Sequence, residues 1–212
     1  MTVRTAKYIF DKNAGLYQDK YMQVDLYHDS LNILSEKLTK VGANILDVGC
    51  GPGNITKYLL LQRNDFNILG IDLSPKMLEL AKINNPDAQF KEMNCMDILK
   101  LSSQFDAIVS SFCLPYLSKI DALKFIEHSY VQLNPNGILY ISTMEDNYDK
   151  SGLFTSSSGG SDSTYIYYHQ ADYLIEHLIS NNFEIMDIQR KIHPQQQNTK
   201  TRDLVILAIK MS

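Results

Sequence analysis

The stretch Ile45-Leu-Asp-Val-Gly-Cys-Gly-Pro-Gly-Asn54 decides how this chain is read. A short apolar run ends at Val48, and three glycines then fall within five residues, Gly49, Gly51 and Gly53. An apolar run of that length predicts a buried strand. Glycines just beyond it let the backbone take conformations that other residues resist and let a ligand approach the main chain closely. The carboxyl ends of strands in an open α/β sheet are where ligands bind. A plain strand-to-helix turn needs fewer glycines than this, so the run reads as a binding loop.

Outward from the loop, strands and helices alternate. Helices are expected over 54–62 and 75–83, the second with Ser74 as its cap and Pro75 at its first position. Strands are expected over 66–71, 89–93, 105–110 and 137–142, and Ala122, Leu123, Ile126, Tyr130 and Leu133 mark a further helix. Before the loop, Val24, Tyr27, Leu31, Leu34 and Leu38 recur at helical steps within 20–40, and Gly42 lies just past the end. The alternation predicts a parallel sheet with helices on both faces. It breaks over 143–169, a stretch holding Gly152 and Ser156-Ser-Ser-Gly-Gly-Ser161 that reads as a long, lid-like loop. A helix over 170–181 and strands over 183–191 and 204–210 close the chain. The two strands predict an antiparallel edge hairpin with its loop at 194–201.

The 212 residues suit a single domain, 1–212, with 1–40 as a helical cap and 143–169 as an insertion. Apolar residues make up 44% and charged residues 21%, as in ordinary globular proteins. A net charge of −4 and a pI near 5.7 supply no electrostatic reason to expect nucleic acid or an anionic membrane as partner. Cys50, Cys95 and Cys113 are scattered, which argues against a disulfide framework or a structural zinc site, and no metal is expected. With no long apolar run and no leader-like start, a cytoplasmic protein is expected. Oligomeric state is not legible.

Asp72 ends the second strand about twenty residues after the glycine loop, the spacing at which a carboxylate takes the hydroxyls of a ribose. Asp47 could bond the loop's own amides, and Asp97 could cap a short helix. His169, at the start of a helix, could be a general base, but the favoured reading is a solvent-facing helix-start residue. His128 and His177 read as surface residues.

Taken together, 45–54 resembles motif I of class I S-adenosylmethionine (SAM)-dependent methyltransferases, E/D-x-G-x-G-x-G, and the likeness runs motif by motif to about residue 142. It implies a Rossmann-like seven-stranded sheet, SAM as cofactor and a small-molecule acceptor. Cofactor contacts are implied for Asp47, Gly49, Cys50, Gly51, Gly53, Asp72, Leu73 and Ser111. Asp97 matches the acidic residue near the adenine amino group, with Met96 and Ile98 flanking the ring. Leu133-Asn-Pro-Asn-Gly resembles the family's L-x-P-G-G turn, with Asn136 where glycine is usual, a residue that tolerates positive φ. Phe10-Asp-Lys-Asn-Ala-Gly-Leu-Tyr-Gln-Asp-Lys-Tyr21 resembles a segment that folds over the cofactor, so Tyr17 and Tyr21 are candidates for its methionyl end. Phe112, Tyr116 and Tyr168 are expected in the acceptor pocket. Signatures of DNA amino- and C5-methylating enzymes are absent. Two rivals remain: a non-catalytic SAM-binding regulator, and an NAD-dependent oxidoreductase, which Asn54 opposes by standing where G-x-G-x-x-G needs its last glycine.

Overall fold

The computed structural model describes residues 2–155, 162–192 and 202–212. Seven strands form one sheet. The central strand β2 (Asn44–Val48) pairs in parallel with β3 (Asn67–Asp72) and β5 (Phe105–Ser111). Strands β4 (Gln89–Glu92) and β6 (Leu133–Glu145) extend the parallel run on either side. β10 (Arg202–Lys210) enters antiparallel beside β6, and β9 (Phe183–Lys191) closes that edge. The turn expected at 194–201 lies outside the described residues.

Alternate residues of β2 explain why the sheet is buried on both faces. Leu46 and Val48 join a core with Phe125 and Ile126 of α6 (Lys119–Gln132) and Leu174 and Leu178 of α7 (Ala171–Ser180). Ile45 points the other way, into a core with Leu31 and Leu34 of α3 (His28–Lys37) and Leu59 of α4 (Asn54–Gln62). Strands buried on two sides need apolar residues at successive positions. The expected cap is present: α5 (Pro75–Asn84) starts with Pro75, and the Ser74 hydroxyl accepts the Met77 N–H at 3.2 Å. Asn136 has φ +61°.

Two expectations change. The helix expected over 20–40 is broken: α2 (Ala14–Tyr21) ends early, a 3₁₀ turn covers Asp25–Tyr27, and α3 starts at His28. Val24, Leu31, Leu34 and Leu38 still share one core, so the apolar spacing identified the buried face but not the bend. At that bend the Tyr27 hydroxyl donates to Asp203 on β10 at 2.7 Å.

The stretch 143–169 is not a plain loop. Strand β6 runs on to Glu145 because β10 offers ladder partners that far, Arg202 opposite Glu145. Beyond it, β7 (Gly152–Thr155) and β8 (Asp162–Ile166) pair antiparallel, and β8 takes β1 (Thr2–Val3) as a parallel neighbour. The Ser156–Ser161 tract lies outside the described residues. Asp162 accepts from Lys12 at 2.7 Å and from Arg4 at 3.4 Å, and Lys12 belongs to α1 (Ala6–Lys12). The two segments expected to cover the site are thus one assembly. Their strand partners are far apart in sequence, which local periodicity does not register.

Candidate functional site

A cavity of about 360 Å³ opens above the carboxyl ends of β2, β3, β4 and β5. Its floor is the glycine loop. Gly49, Gly51 and Gly53 all hold positive φ, +67°, +53° and +81°, which explains their clustering. Gly49 and Gly51 line the cavity. A Cβ on Gly51 would have only the Tyr17 ring nearby, at 3.7 Å, so this backbone is open to whatever enters. Gly53 instead packs beneath the loop, where a Cβ would stand 2.3 Å from the Asn85 amide.

Asp72 holds the loop in place. Its Oδ2 accepts the Gly51 N–H at 3.0 Å and its Oδ1 the Ser74 N–H at 2.8 Å. Burial pushes its carboxyl above the usual range, against those bonds. Each oxygen keeps a lone pair for a further donor, and the residue lines the cavity with Leu73 beside it.

The walls come from the loops after β4 and β5. Met93 to Met96 form one side, Ser111 to Cys113 and Leu117 the other. Phe112 sits at φ +55°, an outlier for a bulky residue. Its N–H donates to the Ser142 carbonyl at 3.0 Å, and its ring meets Tyr27 edge-on at 5.5 Å. Strain of this kind persists only where surroundings over-determine it, and it collects at functional sites.

The roof is the N-terminal segment. Ala6, Lys7, Phe10 and Tyr17 reach the cavity. The Phe10 ring meets Tyr17 at 5.5 Å and Tyr116 at 5.0 Å, both edge-on. Burial pushes the Tyr17 and Tyr116 phenols up, so both are neutral near pH 7. Asp11 ties the roof down by accepting from the Ser74 hydroxyl at 2.9 Å and the Lys76 N–H at 3.0 Å.

Of the expected site residues, Tyr17, Gly49, Gly51, Asp72, Leu73, Met96, Ser111, Phe112 and Tyr116 come together around this cavity. The rest do not line it. Asp47 is buried under the loop and accepts from the Thr56 hydroxyl at 2.7 Å. Cys50 is buried, as is Ile98, which packs in the core behind the wall. Asp97 pairs with Lys100 at 2.9 Å, and the cap of its 3₁₀ turn is Asn94. Tyr21 stacks tilted on Tyr17. Tyr168 is buried against Phe154 of β7, and its N–H donates to the Ser151 hydroxyl at 3.0 Å. Met77, Met93, Asn94, Cys95 and Asp121 line the cavity and were not among the expected site residues, whereas Phe10 opens the segment expected to fold over the cofactor. Phe10 had a legible signal in the stretch Phe10–Tyr21, although a break at Asn13 puts its ring and that of Tyr17 on two successive helices.

His169 corrects both readings offered for it, since it neither faces solvent nor lines the cavity. It is fully buried, with Nε2 against the Leu114 carbonyl at 2.9 Å and Nδ1 against the Tyr173 hydroxyl. Burial lowers its pKa, so it is a neutral group tying α7 to the turn that carries Tyr116. His169→Phe should therefore cost about 1–3 kcal/mol in urea denaturation by leaving a buried carbonyl and hydroxyl unpaired. Wild-type stability in that variant would refute the tether. His128 and His177 are half-buried rather than on the surface; His177 pairs with Glu127 at 3.2 Å.

Among the described residues no helix is long and apolar enough to cross a membrane, and no group of three or more His, Cys, Asp or Glu could hold a metal ion.

A family model described as "Methyltransferase domain" matches residues 18–188. Malonyl-[acyl-carrier protein] O-methyltransferase of Priestia megaterium is 31% identical over 167 residues, 71% of this chain and 60% of that protein. Carboxy-S-adenosyl-L-methionine synthase of Campylobacter jejuni is 28% identical over 142 residues, 63% of this chain and 60% of that protein. The chain thus spans 60% or less of the length of these curated relatives. Among solved structures, the 1,6-didemethyltoxoflavin-N1-methyltransferase of Burkholderia thailandensis, with its acceptor and S-adenosylhomocysteine (SAH) bound, superposes with a TM-score of 0.72 at 22% identity. That match covers 97% of this chain and 87% of that one, and it shows a shared fold.

Proposed function

Because this chain belongs to the SAM-dependent class I methyltransferase family, we propose that it binds SAM in the 360 Å³ cavity and transfers the methyl group to a small, partly apolar acceptor. One observation carries this reading: an open glycine loop, the Asp72 carboxylate and a cluster of aromatic rings line a single cavity. The residues fit the cofactor. Asp72 has acceptor capacity for a ribose diol, and Gly51 presents bare backbone. Phe10, Tyr17 and Tyr116 are neutral rings suited to a sulfonium, since a cation over an aromatic face gains about 0.5–2 kcal/mol.

Bound SAM would supply an already activated methyl group, open to in-line displacement by a lone pair. The protein's task is then to hold donor and acceptor in line, and orientation can lower a barrier by about 7–11 kcal/mol. Phe112 and Tyr116 shape the acceptor's side without filling the cavity, which weighs against a purely regulatory binder. The roof is held by Asp11 and by the pairing of Arg4 and Lys12 with Asp162, and such a cover over bound donor and acceptor would keep water from the transfer. With His169 buried away from the cavity, the acceptor's lone pair has to be available without that base. The relatives' names include an O-methyltransferase and an N1-methyltransferase, so the acceptor atom stays open.

Calorimetry tests the reading. SAM and SAH should bind in the micromolar range, about −7 to −8 kcal/mol. NAD binding without SAM binding would overturn it. A metabolite screen for conversion of SAM to SAH then identifies the acceptor. Asp72→Ala should weaken SAM by ~2–3 kcal/mol, the scale of lost charge-assisted hydrogen bonds. Unchanged affinity in that variant would place the ribose elsewhere.

A further inference from the structure

The three cysteines are scattered in sequence, yet two of them meet. Cys95 opens the turn after β4, and Cys113 stands just after β5. In the sheet those strands are separated by β3 and β2. Their loops come together at the cavity, which both cysteines line, and the two thiols are in hydrogen-bonding contact. Cys95 belongs to the core below, and Cys113 packs against that core. Cys113 is also seated against the glycine loop: a Cβ on Gly49 would stand 3.2 Å from its Cβ and 3.4 Å from its Sγ.

The contact gives the two thiols different characters. The Cys113 thiol beside it holds Cys95 below the ordinary thiol range, and the same contact, with burial, pushes Cys113 well above it. Thiolates, not thiols, are the nucleophiles in sulfur chemistry. Cys95 is therefore the sulfur that reacts, and Cys113 is at hand to resolve the product. Methyl transfer as described above uses neither. Cys50 lies buried in the glycine loop, outside the cavity lining, and burial pushes its thiol up.

We propose that Cys95 and Cys113 are a redox-active pair, which a peroxide joins in a disulfide that ties the loop after β4 to the loop after β5 and hinders SAM from entering. The Cys95 thiolate attacks one oxygen of hydrogen peroxide and the O–O bond breaks. The departing hydroxide takes up the proton that Cys95 released and leaves as water, so Cys95 becomes a sulfenic acid. The Cys113 sulfur then attacks the Cys95 sulfur. The S–S bond forms, the S–O bond breaks, and a second water leaves with the Cys113 proton. Two electrons pass from the thiols to the peroxide. The bond draws the sulfurs from hydrogen-bonding contact to about 2 Å. Cys113 already abuts Gly49, so the closure moves cavity wall and loop together. The effect on SAM rests on the reading that this cavity holds it, whereas the bond itself does not.

The test treats the whole protein with hydrogen peroxide and follows mass and SAH binding. The intact mass should fall by two hydrogens, and peptide mapping should join Cys95 to Cys113 and leave Cys50 free. SAH affinity by calorimetry should drop at least about tenfold, and dithiothreitol should restore it. In Cys113→Ser, Cys95 should stop at the sulfenic acid and be captured by dimedone. Cys95→Ser lacks the nucleophile, so peroxide should leave its SAH affinity, whatever the starting value, unchanged. The proposal fails if both thiols stay free in wild type, or if the joined protein binds SAH as the reduced protein does. It also fails if the loss persists in Cys95→Ser or resists dithiothreitol, since oxidation of Met77, Met93 and Met96 on the same lining then accounts for it. Absence of SAH binding by the reduced protein removes the SAM reading, and the hindrance of SAM with it, while the mass still decides the bond.

Discussion

Gly51→Val should bind SAH at least ~100-fold more weakly than wild type, a loss of roughly 2.7 kcal/mol or more. Two effects combine. The backbone at Gly51 sits at φ +53°, where an L-residue pays about 1–2 kcal/mol and a β-branched one is a true outlier. The added side chain would also stand between the loop and the Tyr17 ring, on the cavity side of both residues. Gly51→Asn separates the two effects, because asparagine tolerates positive φ. It should melt near the wild-type temperature and still lose binding. Tight SAH binding by either variant would reduce the loop to a turn that no ligand touches.

Apo-protein stability should fall as pH rises from about 4 to about 6, through Asp47. Burial beneath the glycine loop raises its carboxyl to about 6, and the Thr56 hydroxyl bond only partly opposes this. The unfolded chain returns it to near 3.9. Between those values the folded state binds more proton than the unfolded one, so stability declines with pH. Below about pH 4 the neutral carboxyl is buried at no electrostatic cost. Above about pH 6 a charge is buried, and the loss levels off at ~3 kcal/mol, two units at 1.36 kcal/mol each. Asp47→Asn keeps an acceptor for Thr56 and cannot ionise. The stability of wild type minus that of Asp47→Asn, from urea titrations at pH 4, 5 and 7, should drop by about that amount. A difference that stays flat with pH would mean that Asp47 titrates as an ordinary carboxylate.

The two variants also mark where local sequence was enough. Gly51 was legible because unusual φ demands a particular residue type, and that demand is met within a few residues of chain. The same holds for the Ser74-Pro75 start of α5, for Asn136, and for strands whose burial on both faces forces apolar runs. Asp47 was visible as a residue, but its surroundings were not. Whether that carboxylate faces a ligand or the underside of its own loop depends on Thr56, nine residues on and one helix turn into α4.

Local periodicity and spacing thus settled, from sequence alone, the alternation of strands and helices, the antiparallel edge and the place of the glycine loop between β2 and α4. Tertiary structure decided everything that depends on which distant segments meet. It paired β7 with β8 within 143–169 and gave β8 a second partner at Thr2–Val3. It buried His169 between Leu114 and Tyr173. It also put Asp121, rather than Asp97, on the cavity wall. Each outcome turns on the direction of one side chain and on a neighbour more than a hundred residues away or on another element. A pattern that repeats every two or 3.6 residues carries no record of such a meeting.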